Sequence, residues 1–220
     1  MRRALVFLLA AAAGGCASMS KEECRLADWQ AIGYEDGARG APGSAISARR
    51  EICAKKANVA PDMDAYLVGR AQGLEIFCRP SSGFELGARG GSYQGVCMGE
   101  SEYDFAAAYR SGEQLFQLTV AANSAAAAVE RAHHDLAHVR GKITKTEAAL
   151  ISPTTPMDAR VDMLVRLKEL SEEKGRIEAS IMPLGREHER AEAELADYRA
   201  FLAVEGPYPD QAMRASNASY

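Results

Sequence analysis

Apolar side chains recur through the second half of the chain with alternating spacings of three and four residues. One series extends from Leu115 to Leu150, and a second extends from Met163 to Leu202. Such spacings line up apolar side chains on one helix face and are typical of a heptad seam. The pattern therefore predicts two long helices that pack through these faces.

The segment between the two series carries the signals of a turn and a new helix. Thr155 can cap the second helix, Pro156 suits its first position and Asp158 its first turn. Gly206 and Pro207 form a typical helix end. Because the connection is short, the two helices are expected to be antiparallel neighbours.

This geometry sets a register for the hairpin. Leu115 is expected opposite Leu195, and Pro183 is expected to kink the second helix because it removes a backbone donor. The sequence thus predicts an antiparallel helical hairpin over residues 113–205 and a flexible tail over residues 206–220.

The first half lacks such a seam and is marked instead by glycines that follow aromatic residues. The units are Tyr34–Gly37, Tyr66–Gly69, Phe84–Gly87 and Tyr109–Gly112. Their irregular separation argues against a solenoid, which needs a fixed period. Glycines four apart, such as Gly33 and Gly37, share a helix face and allow close backbone approach.

We therefore expect short, closely packed helices in a domain over residues 16–112. The expected segments are Lys21 to Ala38, Ser44 to Asn58 and Asp62 to Phe77, with mostly loops and turns from Arg79 to Gly99. Strand signals are weak. The predicted fold class is all-α, with a small disulfide-stapled, glycine-rich helical domain followed by a long antiparallel coiled-coil hairpin.

The N-terminus has the order of an export signal. Arg2 and Arg3 precede ten apolar residues, which are followed by Gly14-Gly15-Cys16. Ten residues of helix span only about 15 Å, against roughly 30 Å of bilayer hydrocarbon, so a permanent transmembrane helix is disfavoured. Residues 1–15 are predicted to be a signal peptide.

The sequence from Ala13 to Cys16 resembles a bacterial lipobox, although Ala13 stands where that motif usually has Leu. The resemblance implies lipidation of Cys16, including palmitate, and anchoring to a membrane through several acyl chains. Ala17 rather than Asp follows Cys16, which favours the outer membrane facing the periplasm.

Four cysteines remain once Cys16 is assigned to lipid, and in an exported protein two disulfides are the default. Cys24, Cys53, Cys78 and Cys97 allow three connectivities. If two short antiparallel helices bring Cys24 to Cys53, Cys78 is left with Cys97, but spacing alone does not choose.

The first half also resembles a known group of proteins. Its motifs are Cys24-x3-Asp28-Trp29, Gly33-Tyr34-x-Asp36-Gly37-x-x-Gly40, Tyr66-x-x-Gly69-x-x-x-Gly73-Leu74-x-x-Phe77-Cys78, and Gly87 with Tyr93-x-Gly95-x-Cys97. Together these resemble a bacterial lipoprotein family catalogued only as a domain of unknown function, over about residues 20–118. The resemblance implies an envelope lipoprotein and supplies no activity.

Histidines and carboxylates are the candidates for chemistry. His134 and His138 lie one turn apart, a spacing that can bind a metal, but they lack the glutamate of the H-E-x-x-H pattern. A solvated helix face is the favoured interpretation, and no cofactor or metal is expected. His188 in the second seam could respond to pH but more often such a residue sits at an imperfect packing position.

Asp28, Glu35 and Asp36 could supply an acid and a base for hydrolysis, but acidic residues on short helices are more often solvated or capping. No nucleophile or nucleotide-binding motif occurs, so an enzyme is not expected. Loss of Arg2 and Arg3 with the leader changes the formal charge from -4 to -6, which disfavours nucleic-acid binding.

The sequence favours a non-enzymatic structural or protein-interaction role, in which the hairpin contacts a protein partner or another copy. The alternative is a periplasmic module that binds a small ligand or a metal.

Overall fold

The computed structural model describes residues 19–204. The predicted signal peptide, the lipidation of Cys16, the Gly206-Pro207 helix end and the tail over 206–220 lie outside these residues. All regular secondary structure in the described range is helical, which confirms the all-α fold class. The helices are α1 (Lys21–Leu26), α2 (Trp29–Ala38), α3 (Ala45–Ala57), α4 (Met63–Phe77), α5 (Pro80–Ala88), α6 (Glu100–Ile151) and α7 (Met157–Val204).

Local caps explain where the short helices begin. Ser20 and Glu23 form a capping box at the start of α1, and each satisfies a backbone N–H of the other. Asp28 accepts from the backbone N–H of Ala31, 3.0 Å away, and so starts a new helix at Trp29. The single helix expected from Lys21 to Ala38 is therefore two helices.

A second difference concerns the segment from Arg79 to Gly99. The expectation of loops and turns is wrong for Pro80–Ala88, which form α5. Pro80 occupies the first helical position, where its missing N–H costs nothing. The glycines of α5 face another helix, so the backbone contact that they permit offsets their poor helix propensity.

The described residues divide into two compact units, which differ from the limits expected from the sequence. One contains residues 19–82 and 93–104, and the other contains residues 83–92 and 105–204. In the first, the core forms around Trp29, Ile46 and Tyr66. In the second, Phe84 and Ala108 share a core with the hairpin side chains.

The hairpin is longer than expected at its start. α6 has 52 residues, beginning at Glu100 rather than near residue 113, and α7 has 48. The helix of α7 continues through Pro183. Among residues 19–204, no helix combines the length and the apolar character needed to cross a membrane.

Candidate functional site

The helices α2 and α4 cross with their backbones in direct contact. A methyl group added to Gly37 would overlap the carbonyl oxygen of Arg70, and one added to Gly73 would overlap that of Tyr34. Gly33 and Gly69 are equally close to the opposite helix. Glycine is thus required on both sides of the crossing.

Asp36 is a buried carboxylate beside this crossing, with 1% of its surface exposed. Arg49 of α3 donates to both of its oxygens, with Nη2 3.1 Å from Oδ1. Arg39 donates to Oδ1 from 2.8 Å, and the hydroxyl of the buried Tyr66 donates to Oδ2 from 3.1 Å. The side chain therefore links α2, α3 and α4 through charge-assisted hydrogen bonds.

The surroundings of Asp36 shift its pKa in opposing directions. Burial raises it, but the hydrogen bonds from Arg49, Arg39 and Tyr66 together outweigh burial and hold the pKa below the ordinary 3.8. Asp36 is consequently ionised at neutral pH. Because two guanidinium groups and a phenol surround the Asp36 carboxylate, it is better suited to linking the three helices than to transferring protons.

The second unit contains a copy of this crossing. Residues 33–40 read GYEDGARG and residues 83–90 read GFELGARG. Both segments end in a glycine with positive φ, 67° at Gly40 and 72° at Gly90, and both glycines donate to the carbonyl three residues earlier, over 2.9 and 2.8 Å. α2 and α5 therefore share a sequence and a helix end.

Their partner helices correspond as well. Gly37 faces α4 at Arg70 as Gly87 faces α6 at Tyr109. The Arg70 guanidinium donates to Ala41 O over 2.7 Å, and the Tyr109 hydroxyl donates to Gly91 O, at the equivalent position, over 3.0 Å. The chain thus holds two copies of one glycine-mediated helix crossing.

The copies differ at the carboxylate. Leu86 stands where the first copy has Asp36, and Phe105 stands where it has Tyr66. Both replacements are buried and apolar. This repeat has no fixed period along the chain, and its signal in the sequence is the likeness of residues 33–40 and 83–90, which are identical at six of eight positions.

Two disulfides staple the first unit. Cys24 is bonded to Cys53, and Cys78 to Cys97. Among the three connectivities that spacing left open, the structure thus has the one suggested by packing α1 against α3. Beside the Cys78–Cys97 bond lies an open groove of about 390 Å³ with an apolar lining that includes Leu74, Val96 and Met98.

In the second unit, α6 and α7 form the expected hairpin and register. Leu115 and Leu195 belong to the same buried cluster. The Tyr198 hydroxyl donates to Ser111 O over 3.0 Å, close to the predicted alignment. Farther along the hairpin, Arg140 and Glu178 are paired across the two helices at 2.8 Å.

The histidines considered as metal ligands lie on a solvated face of α6. His133, His134 and His138 are exposed on α6, and His134 lies beside Asp135, with Nδ1 3.5 Å from Oδ1. Within residues 19–204, no group of histidine, cysteine and acidic side chains is arranged to hold a metal.

The carboxylates proposed as an acid and base are not brought together. Asp28 caps α2, Glu35 is exposed, and Asp36 is buried between arginines. His188 is half-buried in α7, and its Nδ1 lacks a hydrogen-bond partner among the described residues.

A face of α7 directed away from α6 carries unusually large apolar side chains for an exposed surface. We call it the outer face of α7. Val161 is 58% exposed, Leu164 57%, Met182 67% and Val204 83%. At 3.6 residues per turn, these lie on the side of the helix opposite the buried seam.

The comparisons with known proteins concern the first half. Residues 28–114 match the model of a family described as "Protein of unknown function (DUF2799)", which confirms the resemblance to a domain of unknown function. Neither the curated proteins nor the solved structures gave a match.

Proposed function

We propose that this chain is a lipid-anchored protein of the bacterial cell envelope that acts by contacting other protein through its hairpin, without catalysis. The observation that carries the proposal is the outer face of α7, where large apolar side chains stand in solvent on a helix already packed on its other side. At the start of α7 these side chains are contiguous, at Met157, Val161, Leu164 and Val165, and a contiguous exposed apolar patch marks an interaction site.

The anchor rests on the sequence from Ala13 to Cys16 and is consistent with two disulfides, which form and persist in oxidising compartments. Mass spectrometry of the protein from envelope fractions tests it. We expect a mature N-terminus at Cys16 that carries acyl mass, with the other four cysteines unreactive toward thiol reagents. An intact leader with free thiols would refute the anchor.

Photo-crosslinking in intact cells tests the hairpin contact. A photoreactive residue at Met182, on the outer face of α7, should give a crosslinked protein product. The matched control is Glu187, which is exposed on another side of the same helix. Equal crosslinking at both positions, or none at either, would refute a specific contact.

A second candidate function is supported by the groove beside Cys78–Cys97. Its volume of about 390 Å³ lies near the lower limit of small-molecule sites, and its lining favours an apolar ligand. A ligand at one hundred times its Kd should add about 2.7 kcal/mol to the stability of the first unit. Thermal unfolding against envelope lipids and glycans checks this, with Val96→Trp, which fills the groove, as the control.

A further inference from the structure

We infer that the outer face of α7 is a self-association surface, through which two copies of the chain pair antiparallel about a two-fold axis between Met182 and Pro183. This rests on the proposed function, because it names the partner of the same face. A two-fold interface uses one patch twice, so the patch must be complementary to itself when reversed. The following features of α7 meet that condition.

The exposed positions form one straight stripe along the whole helix. Their spacings average about 3.6 residues, the period of a straight α-helix. Every member of the stripe is exposed: Met157, Val161, Leu164, Lys168, Glu172, Gly175, Ala179, Met182, Arg186, Arg190, Ala193, Asp197, Ala200 and Val204. Val165, Pro183 and Phe201 border it and are exposed too.

The apolar ends of the stripe match each other on reversal. With the axis between residues 182 and 183, Leu164 lies opposite the second copy's position 201 and Val161 opposite position 204. These positions hold Phe201 and Val204, which is 83% exposed. Each association would therefore bury two identical apolar clusters, one at each end of the paired helices.

The charges also match on reversal. Lys168 lies opposite Asp197 of the second copy. Arg190 of the second copy lies opposite position 175, about one helical turn from Glu172. Within its own chain the Lys168 ammonium lies 3.9 Å from the Glu172 carboxylate, and the Lys168 side chain remains 78% exposed. In the pair, opposite charges meet at both ends, which selects the antiparallel register over others.

The middle of the stripe is sterically suited to close approach. Arg190 lies opposite Gly175, and Arg186 lies opposite Ala179. A methyl group added to Gly175 would meet nothing within 4 Å, so space is open beside it. Long side chains thus pair with small ones, while Met182 packs at the axis.

Other occupants fit this face less well. An anionic lipid surface or a nucleic acid selects clustered basic residues, whereas the stripe interleaves Lys168, Arg186 and Arg190 with Glu172 and Asp197. A second copy is the occupant that accounts for both the apolar ends and the alternating charges.

Charge exchange tests the proposal with the mature chain in non-ionic detergent, by analytical ultracentrifugation over a range of concentrations. Lys168→Asp alone places two carboxylates opposite each other, and Asp197→Lys alone places two ammonium groups. We expect each single variant to dimerise at least tenfold more weakly than the parent. An equal mixture of the two should dimerise as the parent does, because each mixed pair restores both contacts.

Cysteine crosslinking gives an independent readout. Met182→Cys puts two thiols at the axis and should form a disulfide-linked dimer under mild oxidation. Glu187→Cys, about 140° around the helix at 100° per residue, is the matched control and should react at least tenfold more slowly. Both variants are exposed substitutions, so folding is preserved.

The outcomes separate the two proposals. Failure of the mixture to recover dimers, or equal crosslinking of Met182→Cys and Glu187→Cys, overturns self-association. A chain that stays monomeric at all concentrations, yet crosslinks in cells through Met182 to a different protein, overturns the second copy and leaves the proposed function standing. Because acyl groups on Cys16 would themselves bind vesicles, the lipid surface is tested with Cys16→Ser: binding of that chain to phosphatidylglycerol vesicles that is lost on adding Leu164→Asp overturns the pair.

Discussion

At the scale of single residues, Asp36 is the charged group with the greatest consequence for stability. Its carboxylate is buried and accepts from Arg49, Arg39 and Tyr66. Removing one member of a buried ionic network leaves the others desolvated without compensation.

We predict that Asp36→Leu alone destabilises the first unit by about 3–5 kcal/mol. Adding Tyr66→Phe recreates the Leu86 and Phe105 pair of the second crossing, and we expect it to recover part of the loss. Urea unfolding of both variants measures this. A double variant less stable than the single one would contradict the equivalence of the two crossings.

The lowered pKa of Asp36 gives a second prediction. Because the folded pKa lies below the unfolded value, the stabilisation is complete above the unfolded pKa and is lost as pH falls through the folded one. The free energy of unfolding should therefore fall as the pH drops below the ordinary pKa of 3.8. Asp36→Asn should flatten that decline, and a decline of equal size in that variant would assign it to other groups.

The crossing glycines give a third prediction. Gly37→Ala should destabilise by about 1–3 kcal/mol, because the new methyl overlaps the backbone of α4. Gly141→Ala in α6 is the control, since its added methyl meets nothing, and should stabilise by up to about 1 kcal/mol. Thermal unfolding of the two variants should thus shift in opposite directions.

At the scale of helices, α7 uses its two faces differently. Leu170 of α7 is buried, whereas Leu164 stands on the outer face. Leu170→Ala should cost about 2–5 kcal/mol of unfolding free energy. Leu164→Ala should change the monomer by less than about 0.5 kcal/mol while it weakens association. Urea unfolding at low protein concentration and sedimentation separate the two effects.

Much of the helical architecture could be predicted from the sequence, because periodic apolar positions and caps are local signals. The hairpin, its turn and the alignment of Leu115 with Leu195 follow from such signals. α5 was missed, since glycines within a helix usually indicate a break, and only contact with another backbone explains them. The partners of Asp36 were missed because Arg49 and Tyr66 are 13 and 30 residues away.

At the scale of the whole molecule, both disulfides lie in the first unit. Loss of a native disulfide from a small domain costs about 2–5 kcal/mol. A reductant should therefore lower the unfolding temperature of the first unit while α6 and α7, with 52 and 48 residues, keep most of the helical signal. Circular dichroism with and without reductant checks this, and unchanged melting would contradict it.

Because the two crossings are alike, a helix of one crossing could dock on the wrong partner helix during folding. Four helices offer nearly interchangeable glycine surfaces, so α2 could dock on α6 and α5 on α4. In that exchange Asp36 would be buried against Phe105, which has no hydroxyl to donate, and the hydroxyl of Tyr66 would face Leu86. Both mismatches are costly in an apolar interior. The buried carboxylate of Asp36 thereby favours the native pairing of the four helices over the exchanged pairing.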